Sequence, residues 1–231
     1  MKIIFIISLT LNLIFFAGVV LAIRRVGGIN NLFVKLFSGR TSGPDERRFE
    51  LFSVMGSVKN KIVFLGDSIT EFCDWAELLD NKDVVNRGIP GDVTSGVLSR
   101  LTGLENEKPD KIFLMIGIND LMNGVPGKQV LNNYEEILKR LKKAGIEGVY
   151  PQSILPVNNL IPYHKIVSDD LIQEVNAGIK ELSQKYGYHY VDLYPLFIDQ
   201  SGNLGNELTT DGLHLSGKGY LIWKSSITGL L

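Results

Sequence analysis

Lys61-Ile62-Val63-Phe64-Leu65-Gly66-Asp67-Ser68-Ile69-Thr70 decides the fold. From Lys61 to Leu65 an apolar run containing β-branched Ile62 and Val63 reads as a strand buried on both faces. Gly66 permits a sharp turn, and Ile69-Thr70-Glu71-Phe72 then starts a helix with Ser68 near its cap. A hydroxyl at a strand-to-helix turn sits where unpaired backbone N–H groups converge, so a nucleophile there has oxyanion donors close by. An isolated Gly-Asp-Ser more often does no more than cap a helix. The rest of the chain changes that reading.

Outward from this stretch, strands and helices alternate. Strand candidates recur at Asp83–Asn86, Lys111–Ile116, Gly148–Pro151 and Tyr188–Val191. Helical stretches lie between them at Ile69–Leu79, Thr94–Leu104, Lys128–Ala144 and Ser168–Tyr186, and a last helix runs from about Gly217 to Thr228. β-α units with short links predict a parallel sheet covered on both faces. Functional groups in such sheets gather beyond the carboxyl ends of the strands.

Toward the N-terminus, Ile3 to Ile23 is uncharged and apolar, flanked by Lys2 and by Arg24-Arg25. As a helix it would span about 31 Å, enough for the hydrocarbon core of a bilayer. The expectation is an uncleaved transmembrane anchor over residues 1–25. A signal peptide cut after Ala22 is the rival, and a core helix of a soluble domain is the weaker alternative. Arg24, Arg25, Lys35 and Arg40 favour a cytoplasmic C-terminal side, whereas a short basic N-terminus before a long apolar run is how exported proteins begin. An extracytoplasmic domain is slightly favoured. Residues 26–44 read as a linker punctuated by Gly27-Gly28, Ser38-Gly39 and Ser42-Gly43-Pro44, with Leu32, Phe33, Leu36 and Phe37 at helical spacing. That cluster suits either an interfacial helix lying on lipid or a short helix packed on the domain. A helix over Asp45–Val58 opens the main domain, residues 45–231.

Composition narrows the function classes. The 231 residues are 45% hydrophobic, which suits one sizeable packed domain with an appendage. A formal net charge of −1 implies no general pull toward nucleic acid. The one cysteine, Cys73, excludes an internal disulfide, and three histidines without a ligand pattern give no reason to expect a metal.

Further chemistry-bearing stretches stand at predicted strand ends. Asn86-Arg87-Gly88-Ile89-Pro90-Gly91-Asp92 makes a turn whose backbone can approach a substrate closely, though its glycine spacing does not fit a phosphate loop. Gly117-Ile118-Asn119-Asp120 places an amide donor at a strand end, where a helix cap or Asx turn is the plainer reading. In Thr210-Asp211-Gly212-Leu213-His214-Leu215-Ser216, the carboxylate and imidazole are spaced to meet on one turn. Such a pair fixes the imidazole tautomer and supports its charged form, as the base of a nucleophile requires. Alone, Asp211 starting a turn and His214 packing on the last helix would explain it. His189 in Tyr188-His189-Tyr190 reads as lining a strand face, and His164 has no comparable carboxylate.

Together these stretches resemble the SGNH hydrolase family, the GDSL-type lipases and esterases. Gly66-Asp67-Ser68 matches the first block, Gly91 the second, Gly117-x-Asn119-Asp120 the third and Asp211-x-x-His214 the last, from Lys61 to the C-terminus in the family's order. The segment from Asn86 to Leu101 is especially similar to the catalytic subunits of platelet-activating-factor acetylhydrolase. The resemblance implies an α/β fold, a flavodoxin-like three-layer sandwich with a five-stranded parallel sheet in the order 2-1-3-4-5. It implies a metal-independent serine esterase without cofactor: Ser68 as nucleophile, His214 as base, Asp211 as its orienting acid. Backbone N–H groups of Ser68 and Gly91 and the Asn119 side chain would form the oxyanion hole. The implied substrate is a small-molecule or lipid ester, with acetyl esters of a glycan or lipid first and long-chain or lysophospholipid esters as the alternative. A membrane-tethered, non-catalytic ligand-binding module is the rival class. The loops Leu155–Ile166 and Pro195–Leu208 are expected at the pocket rim. Gly-x-Ser-x-Gly is missing around Ser68, which sets the chain apart from the α/β-hydrolases.

Overall fold

A computed structural model of the chain describes residues 46–158 and 167–231, together with residues 12, 15, 16 and 18–20, which are helical. Most of the apolar stretch Ile3–Ile23, the 26–44 linker, and residues 159–166 of the expected rim loop, His164 among them, lie outside the described residues. No helix among the described residues is long and apolar enough to cross a membrane. Pro44–Leu231 forms one compact unit and Met1–Gly43 another; the sheet and its helices belong to the former.

The sheet holds β1 (Ile62–Gly66), β2 (Val84–Gly88), β3 (Lys111–Met115) and β4 (Val149–Pro151), in the order β2-β1-β3-β4. All pairings are parallel, and the register sets Gly66 opposite both Gly88 and Met115. Three strands therefore finish level with one another. The expected fifth strand, Tyr188–Val191, is corrected to a single parallel bridge between Val191 and Gln152. Its ladder stops because the next main-chain donors turn inward: the N–H groups of Leu193 and Tyr194 both donate to Ser153 Oγ at 2.8 Å. A short 3₁₀ turn, Tyr194–Leu196, follows at once.

Alternation along the strands builds two cores. On one face Phe64 stacks between Trp75 at 3.9 Å and Phe113 at 5.0 Å, and Phe113 stacks on Tyr150 at 4.7 Å. Trp223 crosses Trp75 edge-on, bringing the last helix into this layer. On the other face lie Val63, Leu65, Ile112 and Leu114, all fully buried, and Tyr134 donates its hydroxyl hydrogen to the Leu114 carbonyl.

The helices are α1 (Glu46–Val54), α2 (Ser68–Glu71), α3 (Trp75–Leu78), α4 (Thr94–Glu107), α5 (Ile118–Met122), α6 (Gly127–Lys143), α7 (Asp169–Tyr186) and α8 (Gly217–Ile227). Local chemistry sets the ends of the longer ones. The α7 helix starts on a Ser168 cap with Asp169 and Asp170 in its first turn, and stops at Gly187 in the left-handed conformation. Arg140, Lys142 and Lys143 crowd the last turn of α6, where a helix favours cations.

Two helical expectations change. The predicted Ile69–Leu79 helix is broken into α2 and α3, because Asn86 Nδ2 donates to the carbonyls of Thr70, Glu71 and Cys73 and takes the acceptors a continuous helix would need. The predicted Asp45–Val58 helix ends at Val54, after which the Val58 N–H and the Ser57 hydroxyl both donate to Glu107 Oε2.

Trp75 is the hub of the aromatic layer, 1% exposed, with its indole N–H donating to the Thr70 carbonyl at 2.8 Å. Trp75→Ala removes the stack, the edge contact and the hydrogen bond together. It should lower unfolding stability by about 3–5 kcal/mol, read as a drop in the urea midpoint at unchanged slope.

Candidate active site

The site grows from the level ends of β1, β2 and β3. At Gly66 an added Cβ would collide with Thr70 Oγ1 and the Met115 carbonyl, so the strand must end there without a side chain. Asp67 follows as the N-cap of α2, its carboxylate accepting the Ile69 N–H at 2.9 Å. Ser68 is then the first residue of α2 rather than its cap, and is almost entirely buried.

The last predicted block closes on it from the other end of the chain. Thr209 and Leu215 bridge antiparallel, and the Thr209 hydroxyl and Thr210 N–H both donate to the His214 carbonyl. Gly212, at φ 90°, makes the reversal possible. Asp211 Oδ1 accepts the backbone N–H of Leu213 and of His214, and its Oδ2 lies 2.6 Å from His214 Nδ1. His214 Nε2 lies 2.9 Å from Ser68 Oγ. Burial pushes the Asp211 carboxyl up, but the hydrogen bonds from the His214 ring and from the His214 and Leu213 backbone outweigh it and hold the group below its ordinary range. Phe72 lies across the imidazole with ring centroids 4.8 Å apart, and is itself exposed.

The loop after β2 forms the neighbouring wall. The Ile89 N–H donates to the Gly66 carbonyl at 3.1 Å, and Gly91 turns the chain at φ 75°. Asn119 stands in the first turn of α5, and one hydrogen of its amide goes to the Asp92 carbonyl at 2.9 Å. Asp120 beneath it accepts the Thr94 N–H and hydroxyl, at 2.9 and 2.6 Å. The structure thus joins Ser68, His214 and Asp211 through side chains, and links Gly91 and Asn119 to one another through Asp92. Rim loop Pro195–Leu208 holds two short 3₁₀ turns, and of the other rim loop only Leu155–Asn158 is described.

Sequence reading missed the residues that hold this arrangement. Asn86, which the sequence shows only as part of a turn, ties off α2 by its side-chain amide. Arg100, inside the predicted Thr94–Leu104 helix, buries its side chain with hydrogen bonds to Asp92, to the Arg87 carbonyl and to the Gly66 carbonyl. A lone arginine on the apolar side of a helical pattern was the available signal.

A sequence model of the GDSL-like lipase/acylhydrolase family matches residues 64–222. Among curated relatives, the alpha1 subunit of platelet-activating factor acetylhydrolase IB from Rattus norvegicus is 30% identical over 171 residues, covering 69% of this chain and 70% of its own. An arylesterase from Vibrio mimicus is 27% identical over 181 residues, covering 72% and 85%. A solved structure from Streptococcus pneumonia superposes with a TM-score of 0.72 at 34% identity, covering 80% of this chain and 91% of that one.

The buried carboxylates give this region a pH dependence. Burial, with further repulsion from Asp92 and Asp120, pushes the Asp67 carboxyl up to about 7 against the opposing Ile69 N–H bond. The folded state therefore holds a proton that the unfolded chain releases above about pH 4, so this group's contribution to stability falls as pH rises from about 4 to 7 and then levels off. Asp67→Asn keeps a capping oxygen and removes the titration. Its stability relative to the parent should improve between pH 5 and pH 8 in urea melts, and a pH-independent difference would refute the shift.

Proposed function

This chain belongs to the GDSL-like lipase/acylhydrolase family and is a carboxylic ester hydrolase, and on that premise we propose that Ser68, His214 and Asp211 are its catalytic triad. The observation that carries the reading is the unbroken relay from Ser68 Oγ to His214 Nε2 at 2.9 Å and from His214 Nδ1 to Asp211 Oδ2 at 2.6 Å. Ser68 Oγ attacks the acyl carbonyl while His214 Nε2 takes its proton. Asp211 accepts from Nδ1–H, fixes that tautomer and stabilises the imidazolium. The tetrahedral oxyanion receives hydrogen bonds from the Ser68 and Gly91 backbone and from Asn119, whose amide has one hydrogen left after bonding Asp92. Each such donor is typically worth about 3–4 kcal/mol in the transition state. His214 returns its proton to the departing alcohol, and a water repeats the sequence to release the acid.

The substrate in this reading is an ester of a small acyl group, acetyl first, on a glycan or lipid. The name of the rat relative, an acetylhydrolase, supports that choice. Long-chain esters are the second reading, favoured by the exposed Phe72 ring against the catalytic imidazole. The apolar Ile3–Ile23 stretch acts as an uncleaved membrane anchor, on the strength of its length and lack of charge. Intact mass of the protein from its own host tests that part, since a chain beginning at Ile23 would mean signal cleavage.

For the triad, Ser68→Ala and His214→Ala should each lower kcat by about 10⁴–10⁶-fold, and the double variant should lose little more than either. Near-normal turnover in either one would sink the assignment. Asn119→Ala should lower kcat by about 10²–10³-fold with KM far less affected. Rates on p-nitrophenyl esters of increasing chain length decide the acyl group: a small-acyl pocket gives its highest kcat/KM at acetate, and a rise toward octanoate selects the long-chain reading.

A further inference from the structure

The family match begins at residue 64, yet α1 lies against the centre of the site from outside that range. Arg48 Nε donates to the Gly88 carbonyl at 2.7 Å, and Arg48 Nη1 pairs with Glu71 Oε1 at 3.2 Å. Gly88 opens the loop that carries Gly91. Glu71 ends the helix that begins at Ser68. One guanidinium therefore bridges the loop that offers oxyanion donors and the helix that presents the nucleophile.

One turn further along α1, the Phe52 ring faces three guanidinium carbons: Arg48 at 5.6 Å, Arg87 at 4.9 Å and Arg100 at 5.9 Å. Arg100 grips the same loop from inside through Asp92 and the Arg87 carbonyl. Arg48 grips it from outside through Gly88. Displacing the loop would move two of the three proposed oxyanion donors at once, because Gly91 lies within it and the Asn119 amide hangs on the Asp92 carbonyl.

We propose that Arg48 is a positioning residue for ester hydrolysis, clamping the Gly88–Asp92 loop to the nucleophile helix so that the oxyanion donors are held at their working distance. The proposal rests on Gly91 and Asn119 being those donors. Charge alone is insufficient in this role: a planar guanidinium reaches a carbonyl and a carboxylate together, and a lysine ammonium at the end of its stem holds one of them.

The test uses the full chain carrying Arg48→Ala, Arg48→Lys or Asn119→Ala, with active sites counted by fluorophosphonate labelling. Two quantities are read per active site: kcat and KM for p-nitrophenyl acetate, and inhibition by phenylboronic acid. The boron accepts the Ser68 oxygen, whose proton passes to His214, and the resulting tetrahedral boronate presents an oxygen to the same donors. Arg48→Ala should lower kcat about 10-fold with KM within about twofold, and weaken boronate inhibition by a similar factor. Arg48→Lys should recover only part of both. Unchanged per-site kcat and boronate inhibition in Arg48→Ala, whatever its melting temperature, would overturn the proposal. If Asn119→Ala loses rate while Arg48→Ala does not, only the clamp fails; if neither loses rate, the oxyanion reading fails with it. Should Arg48→Ala not fold, Arg48→Lys decides alone, a parent-like kcat and inhibition constant counting against the clamp.

Discussion

At Gly88 two main chains meet with no room between them for a side chain. A Cβ there would lie 2.5 Å from the Glu71 nitrogen and 2.7 Å from the Asp67 carbonyl oxygen, both backbone atoms that cannot swing aside. The candidate site depends on this approach. It lets the loop after β2 touch the turn after β1, so that the Ile89 N–H reaches the Gly66 carbonyl. In an open parallel sheet, functional groups gather in the crevice beyond the carboxyl ends of the strands. Gly66 and Gly88 end β1 and β2 without side chains, so the segments that follow the two strands lie in contact at that end.

Closing the chains so tightly encloses charge. Asp67, Asp92 and Asp120 are each 2% exposed or less, within one small region. Burying an ionised carboxylate is costly unless hydrogen bonds or an opposite charge replace its water. The three are treated differently. Asp92 receives a guanidinium, Arg100, in a pair that is itself buried. Asp120 receives a backbone N–H and a hydroxyl from Thr94, whose hydroxyl oxygen is in turn held by the Asn133 amide. Asp67 receives the Ile69 N–H, and its proton is retained to near neutrality. Asp92 and Asp120 thus fasten remote segments to one another, whereas Asp67 caps the helix that it opens.

What the sequence made legible follows from range. The strands over Ile62–Gly66, Val84–Gly88, Lys111–Met115 and Val149–Pro151 lie within a residue or two of their predicted bounds, because a continuous apolar run between turn residues is a local signal. The Asp211–His214 pair was legible for the same reason, since three residues and a turn suffice to make it. The family blocks fixed which residues to gather, and spacing alone would not have joined Ser68 to a histidine 146 positions away. Asn86, Arg48 and Arg100 act on carbonyls remote in sequence, and no local pattern marks which carbonyl an amide or guanidinium will find. The shortfall at Tyr188–Val191 has the same origin: its β-prone residues suit a strand, but Ser153 captures the next two donors and ends the pairing.

The pairing of Ser68 with His214 therefore needs something to hold the two ends of the chain in register, and the last helix supplies it. Tyr220 donates its hydroxyl hydrogen to the Ile69 carbonyl at 2.8 Å, one residue beyond Ser68. Lys224 Nζ, one turn on, donates to the Leu78 carbonyl at the end of α3. Between them Trp223, fully buried, meets Trp75 edge-on at 4.8 Å. The start of α8 is fixed to the histidine turn by the Ser216 N–H, which donates to the Leu208 carbonyl, and by the Ser216 hydroxyl on Glu207. One short helix is thus bonded at its N-terminus to the segment carrying Asp211 and His214, and along its face to the segment carrying Ser68. A hydrogen bond between two side chains is sensitive to displacements of a few tenths of an ångström, whereas an aromatic contact tolerates more. The relay is kept within bonding distance because polar bonds at both ends of α8 set its position and the tryptophan pair between them resists its rotation.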